Sequence, residues 1–183
     1  MRVIETEIPA VRRIVPARFG DARGWFAETF RVDRLAEAGI ADVFVQDNQS
    51  FSAPKGTVRG LHFQTNPMAQ GKLVRVLQGA IFDVAVDLRR ASPTYGRHVS
   101  ATLDAAGGEQ LYVPAGFAHG FCTLEPDTMV AYKVTAYYSR ENDAGTLWND
   151  PALGIPWPVS EAQAILSDKD KAAPRFADLP AHF

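Results

Sequence analysis

The chain has 183 residues, 46% of them hydrophobic and 22% charged, which suits one domain with a core that needs no disulfide or structural metal. Nineteen Lys and Arg against twenty-one Asp and Glu give a formal charge of −2, and no long like-charge run occurs, which argues against nucleic-acid binding or a polybasic membrane anchor. A single cysteine, Cys122, excludes an internal disulfide and a thiolate zinc site, and no stretch has the length of a membrane span or the apolar core of a leader, so a soluble cytoplasmic protein is expected.

Twelve prolines and fourteen glycines punctuate short runs of β-branched and aromatic residues along the whole chain, the pattern of an all-β fold. Residues 1–15 are rich in β-branched residues and carry Pro9, as an edge strand does. Residues 31–38 place Val32, Leu35 and Ala36 on one stripe, and Gly39 follows as a stop, which predicts a short helix. Strands are expected over residues 57–64, 72–78, 80–88, 98–103, 109–113, 120–124 and 129–137. The clearest is 80–88, where Phe82, Val84, Val86 and Leu88 alternate with Asp83, Ala85 and Asp87. Asp104-Ala-Ala-Gly-Gly reads as a hairpin loop between two of these strands. A second short helix is expected from Ser160, with Gln163 as its capping-box partner. Residues 160–183 read as a tail lying over the body. Together these elements predict a single domain, an antiparallel β-barrel of jelly-roll type with a few short helices, whose mouth offers a pocket.

Two of the four histidines sit in apolar, glycine-bearing contexts: His62 in Val58-Arg-Gly-Leu-His-Phe-Gln64 and His119 in Val113-Pro-Ala-Gly-Phe-Ala-His-Gly-Phe121. His98 and His182 read as solvated. Pro114-x-Gly116-x-x-His119 resembles the second signature of the cupin superfamily, whose histidine often binds a metal. The first signature would supply His-x-His and then Glu. Here Gln64 replaces the second histidine, and no glutamate follows before Glu109, so no metal and no other cofactor is expected.

A closer resemblance covers the whole chain. Phe19-Gly-Asp-Ala-Arg-Gly-Trp-Phe26 with Glu28, Val45-Gln-Asp-Asn48, the Arg-Gly-Leu-His segment, Gln70-Gly-Lys-Leu-Val-Arg75 and Ser92-Pro-Thr-Tyr-Gly96 come in order. The Pro-Ala-Gly-Phe-Ala-His segment, Tyr132-Lys, Tyr137-Tyr-Ser139, Trp148-Asn-Asp-Pro151 and Leu166-Ser-Asp-Lys-Asp170 continue the series. The chain resembles the dTDP-4-dehydrorhamnose 3,5-epimerases, cupin-type enzymes of the pathway to dTDP-rhamnose.

The resemblance implies a reaction and a cast of residues. Inverting C3 and C5 beside a C4 ketone means removing a proton from one face and returning one on the other, which needs a base, an acid and a cation near O4. By family match the base is His62 and its carboxylate partner Asp170. Lys72 stabilises the enolate, and Tyr132, which shares strand parity with Val130 and Val134, is the acid. Arg23, Arg59 and Lys72 surround the diphosphate and sugar, Glu28, Gln46 and Asn48 contact the nucleoside, and His119 orients the substrate. Tyr137, Asp143 and Lys169 complete the binding set. Without the resemblance, Ser167-x-x-Asp170 reads equally as a capping box, and Lys72 and Lys169 as surface charges. Arg59 and His62 have opposite strand parity, and Gly60 between them invites a bulge that turns both toward one pocket.

Asp143 stands where many members carry glutamate. The partner expected is a dTDP-linked 4-keto-6-deoxy sugar. A relative inverting only C3 or only C5 is the nearest competing reading. A metal-dependent cupin enzyme and a non-catalytic sugar-binding cupin follow. The resemblance also implies a homodimer in which residues 1–15 pair with a second subunit.

Overall fold

A computed structural model describes residues 1–183. Its thirteen strands are β1 (Arg2–Glu5), β2 (Arg12–Val15), β3 (Arg18–Asp21), β4 (Gly24–Ala27), β5 (Gln46–Ser52), β6 (Val58–Gln64), β7 (Lys72–Gln78), β8 (Ala80–Asp87), β9 (His98–Asp104), β10 (Gln110–Val113), β11 (Phe117–Thr123), β12 (Thr128–Val134) and β13 (Asp143–Gly145). Two short helices, α1 (Val32–Glu37) and α2 (Asp168–Lys171), and one 3₁₀ turn at Phe176–Asp178 accompany them. The strands form an antiparallel six-stranded sheet in the order β1-β2-β10-β7-β12-β5 and an antiparallel five-stranded sheet in the order β13-β6-β11-β8-β9. Strands β3 and β4 make a separate hairpin. The fold is all-β and cupin-like, but its two sheets stay open where a closed barrel was expected. They end on β1 and β5 in one sheet and on β13 and β9 in the other.

The main core fills the space between the sheets, with Val74, Val76, Ile81, Ala85, Leu103, Leu111, Phe117 and Val130 among its members. Both outer faces are also covered in part. The C-terminal segment lays Leu153 and Leu179 over Leu61, Val84 and Val86, so β8 is buried on both faces instead of alternating between core and water. Helix α1 covers the other sheet, packing Leu35 and Ile40 against Ile14, Leu73 and Tyr112. Its end is a Schellman turn: Gly39, at φ +82, donates to Ala36 O at 2.9 Å, and Ile40 donates to Leu35 O at 2.8 Å. No helix is long and apolar enough to cross a membrane.

Three further expectations are corrected. The Asp104–Gly108 turn is not a hairpin loop, because β9 and β10 belong to different sheets; the turn carries the chain across the sandwich. Asp104 holds it, accepting from Gly107 N at 2.5 Å through its carboxylate and from Gly108 N at 3.0 Å through its carbonyl. No helix follows Ser160. The Ser160–Gln163 contact forms, with the Ser160 N–H donating to Gln163 Oε1 at 3.2 Å. The chain is then drawn straight by a parallel bridge between Ile165 and Thr57. Strand β12 stops at Val134 rather than continuing to Tyr137. His98 is also partnered, its Nδ1 lying 3.1 Å from Leu153 O.

The junction that positions the site is the expected bulge. His62 pairs with His119 and Arg59 with Phe121, so Gly60 and Leu61 on β6 oppose Gly120 alone on β11. Gly60 takes φ +126, and a Cβ there would stand 2.5 Å from Gly120 Cα and 2.8 Å from His119 O. Both obstacles are backbone. Gly60→Ala is therefore expected to cost at least about 2 kcal/mol. In a chain of this size that is a fall of roughly 4–8 °C in melting temperature, read by circular dichroism. An unchanged melting temperature would show that the two strands part freely here.

Candidate active site

Two adjoining cavities, of about 450 and 470 Å³, open between the sheets and share His62, Lys72 and Tyr132. The bulge brings Arg59 and His62 into the first of them despite their opposite parity. Lys72 enters from the first residue of β7, Tyr132 from β12 and His119 from β11.

His62 Nε2 lies 2.5 Å from Asp170 Oδ1, and the Asp170 side chain is only 4% exposed. Asp170 also makes one half of the expected capping box: its N–H donates to Ser167 Oγ at 3.1 Å at the start of α2. The two readings are compatible because the cap uses the backbone N–H and leaves the carboxylate for the imidazole. Burial pushes the Asp170 carboxyl up, but hydrogen bonding from His62, the charge of that ring and hydrogen bonds from Ser167 and Gly60 hold it below the usual carboxylate range. With Nε2–H donated to the carboxylate, a neutral His62 keeps its Nδ1 lone pair free to accept a proton.

Lys72 is 8% exposed, and its one hydrogen bond goes to His62 O at 3.2 Å. Burial pulls its ammonium down to about 8, and the charges of Asp83 and Asp143 limit the fall. Burial lifts the Tyr132 phenol above its ordinary value, opposed by the charge of Arg59. Tyr132 thus holds its proton through neutral pH while facing the cavity that His62 lines. His119 is 6% exposed and committed to Asp83, Nε2 to Oδ1 at 2.7 Å.

The second cavity is lined by the amides Gln46, Asn48, Gln64 and Gln70, together with Tyr138, Asp143 and Lys169. Gln46 Nε2 donates to Asn48 Oδ1 at 2.8 Å, while its own Oε1 accepts from Tyr138 N at 3.1 Å. Asp143 accepts from Lys169 Nζ at 2.5 Å and from Tyr138 OH at 3.2 Å, tying β13, α2 and the loop after β12 together. Arg59 guanidinium is anchored on Ser52 Oγ at 3.1 Å and Phe51 O at 3.0 Å at the edge of the first cavity. Gln64, in the place of a second cupin histidine, spends its amide nitrogen on Met68 O and Tyr137 O. No group of three or more His, Cys, Asp or Glu converges in a way that could hold a metal.

The match between residues 5–178 and the dTDP-4-dehydrorhamnose 3,5-epimerase family model covers almost the whole chain. The chain belongs to this family. A dTDP-4-dehydrorhamnose 3,5-epimerase of Sinorhizobium fredii is 56% identical over 177 residues, which is 96% of this chain and 90% of that protein. The fold superposes on the Bacillus anthracis enzyme crystallised with TDP and PPi bound at a TM-score of 0.92, with 53% identity over 95% of this chain and 98% of that one. The Legionella pneumophila epimerase in complex with dTDP-4-keto-L-rhamnose gives 0.93, with 46% identity over 98% and 95% of the two chains.

Not every family-matched residue gathers at the epimerase cavities. Arg23 is 90% exposed and pairs with Asp21 at 2.5 Å. Glu28 pairs with Arg31 at 3.3 Å and lines a separate hollow with Met1, Val3 and Phe19. Tyr137 is 63% exposed and lines neither cavity; the neighbouring Tyr138 does. The ladder has ended at Val134, so the parity that carries Tyr132 inward has no hold on position 137. Asp83, Gln64 and Gln70 were not expected at the site. The signal for Asp83 was weak, because it alternates with apolar residues and shares its face with Asp87, as on a half-solvated strand.

Lys72 also bears on stability. Below pH 8 it is charged in both the folded and unfolded chain, and the fold carries the full cost of burying it. Between about 8 and 10.5 the folded chain releases the proton first, and that cost fades. Lys72→Met is therefore expected to stabilise the fold at pH 7 by about 1–2 kcal/mol, a gain that shrinks as the pH rises through this window. Urea unfolding at pH 7 and pH 10 measures both. A destabilised pH 7 variant would mean that the ammonium is well compensated.

Proposed function

We propose that this protein inverts C3 and C5 of dTDP-4-dehydro-6-deoxyglucose, giving dTDP-4-dehydrorhamnose, by two rounds of proton exchange beside the C4 ketone. His62 Nδ1 accepts the proton from carbon, and the electron pair of that C–H bond moves into the enolate at O4. Asp170 stabilises the imidazolium formed, and Lys72 donates to the enolate oxygen. Tyr132 returns a proton to the opposite face, and solvent restores both groups. Because C3 and C5 flank one ketone, the same cation serves both steps. Proton transfer of this kind calls for no redox cofactor. The observation that carries the reading is the His62–Asp170 pair set in the same cavity as Lys72 and Tyr132. Arg59 is assigned to the diphosphate and His119 to orientation of the sugar. Gln46 and Asn48 are assigned to the nucleoside, and the Asp143–Lys169 pair to closure around the ligand.

Arg23 and Glu28 fit this reading only across two chains. Arg23 lies in the turn of the β3–β4 hairpin and Glu28 just past its end, and the hairpin's Phe19, Trp25 and Phe26 are all 60% or more exposed. We infer a homodimer in which each hairpin reaches its partner's cavity, with the N-terminal strands contributing to the contact. Mixing inactive His62→Ala and Arg23→Ala chains is then expected to restore activity, since one site of each hybrid is intact. A monomeric mass by light scattering at micromolar concentration, or no restoration, would overturn it.

Proton NMR in heavy water tests the chemistry by following H3 and H5 of dTDP-4-dehydro-6-deoxyglucose separately. His62→Ala is expected to abolish deuterium exchange at both centres. Tyr132→Phe is expected to keep exchange while slowing inversion by about 10²–10⁴-fold. Exchange at only one centre in the unaltered enzyme would favour a single-centre epimerase. Inversion at the unaltered rate in Tyr132→Phe would remove the phenol from the mechanism.

A further inference from the structure

Asp83 lies on β8 with 0% exposure, on the inward face it shares with Ile81 and Ala85 of the main core. A carboxylate in such a place is costly unless its charge is answered. One oxygen, Oδ1, is 2.7 Å from His119 Nε2, whereas Oδ2 is buried with no hydrogen-bond partner. Lys72 shows the complementary lack: it is buried in the same cavity wall as His119, and its only partner is a neutral carbonyl.

The charged and titratable groups around that wall can be taken element by element. Strand β6 presents Arg59 and His62, β11 His119, β12 Tyr132, β13 Asp143, and α2 Lys169 and Asp170. Among the carboxylates, Asp170 is engaged by His62, and Asp143 by Lys169 and Tyr138. Asp83 alone among them keeps a fully buried oxygen without a partner, and it is the strongest negative influence favouring the charged form of Lys72, ahead of Asp143 and against Lys169.

We propose that Asp83 is a positioning residue of the epimerase site, one oxygen fixing the His119 ring while its unpaired charge keeps Lys72 an ammonium ready for the enolate. The inference rests on the assignment of Lys72 to O4. It makes the cation of the site depend on a residue that touches no substrate.

Asp83→Asn tests this, because the amide oxygen can still accept from His119 while the charge is gone. Side-chain ¹⁵N NMR, with the Lys72 signal assigned by its loss in Lys72→Met, reads protonation without reference to activity. In the unaltered protein the Lys72 ammonium is expected to titrate above pH 7. In Asp83→Asn it is expected to titrate about 1–3 pH units lower. The high-pH limb of kcat is expected to move with it, kcat at pH 7 to fall about tenfold or more, and activity to recover in part toward pH 6. A residue that served only to orient His119 would instead give a loss independent of pH, shared by His119→Gln, with Lys72 titrating where it did before. That result overturns the proposal. Should Asp83→Asn fail to fold, the unaltered protein still decides: a Lys72 ammonium titrating below pH 7 refutes the role given to Asp83. An unaltered protein that shows no epimerase activity while its Lys72 titrates above pH 7 and shifts down in Asp83→Asn would count against the epimerase reading and not against this one.

Discussion

Gly60 and Gly120 meet across β6 and β11 at a distance that admits no side chain on either strand; a Cβ on Gly120 would stand 2.8 Å from Arg59 O. This contact sets two residues of β6 against one of β11, and the extra residue reverses the parity of everything beyond it. Without the bulge, Arg59 and His62 would point to opposite faces of the sheet, and His62 could not lie in the same cavity as an anion-binding guanidinium. Asp170 depends on it as well, since its carboxylate draws on Gly60 in addition to His62 and Ser167. His62, Asp170 and Arg59, proposed above as base, carboxylate partner and cation for a diphosphate, are thus arranged by one local departure from a regular ladder.

The remainder of the site is an arrangement of buried charges. Asp83, Lys72 and Asp170 are each less than 9% exposed, and none forms a simple, isolated ion pair with another. Packing apolar residues in their place would stabilise the fold, because the desolvation of ions is rarely repaid in full by their attraction. Their value lies in the reaction. An ammonium whose proton is loosened toward neutrality, and which water cannot screen, interacts far more strongly with a developing oxyanion than a surface lysine would. The apolar core between the sheets and the covering of both outer faces provide the stability that this arrangement gives up.

The features legible in the sequence were those governed by short-range rules. The strand at residues 72–78, the helix stop at Gly39, the bulge at Gly60 and the dual role of Ser167 and Asp170 follow from periodicity, glycine chemistry and capping. Features that failed were set by distant pairing. The Asp104 turn carries good hairpin residues, yet β10 pairs with β7 and β2 and not with β9, and no local signal states which sheet a strand will join. The turn at Ser160 has its capping partner but loses the helix to the Ile165–Thr57 bridge. The alternation in β8 predicted a solvated face for Asp83 and Ala85, yet that face lies against the main core, and the C-terminal segment covers the opposite, Val84–Val86 face. The proposed catalytic residues His62, Lys72, Tyr132 and Asp170 were named from family resemblance, and composition alone would have left both Lys72 and Asp170 unremarked.

The same distinction separates residues that work within one chain from those that do not. His62, Lys72, Tyr132, His119 and Asp170 sit on or beside strands of the two facing sheets, where ladder registers and a shared core hold them to one geometry. Arg23, in the turn, and Glu28, just past the end, belong to a hairpin whose strand ladder is its own and whose aromatic residues are turned outward; Arg18 alone ties it back, donating to the carbonyls of Ala105 and Ala106. An exposed apolar hairpin of this kind is stable only if something covers it. In the homodimer proposed above a second copy is that covering, setting Arg23 beside the diphosphate and the Glu28 carboxylate beside the nucleoside held by the partner. In that proposed dimer the chemistry is fixed by packing inside each subunit, while recognition of the nucleotide is divided between two, so that binding and assembly are linked through the same residues.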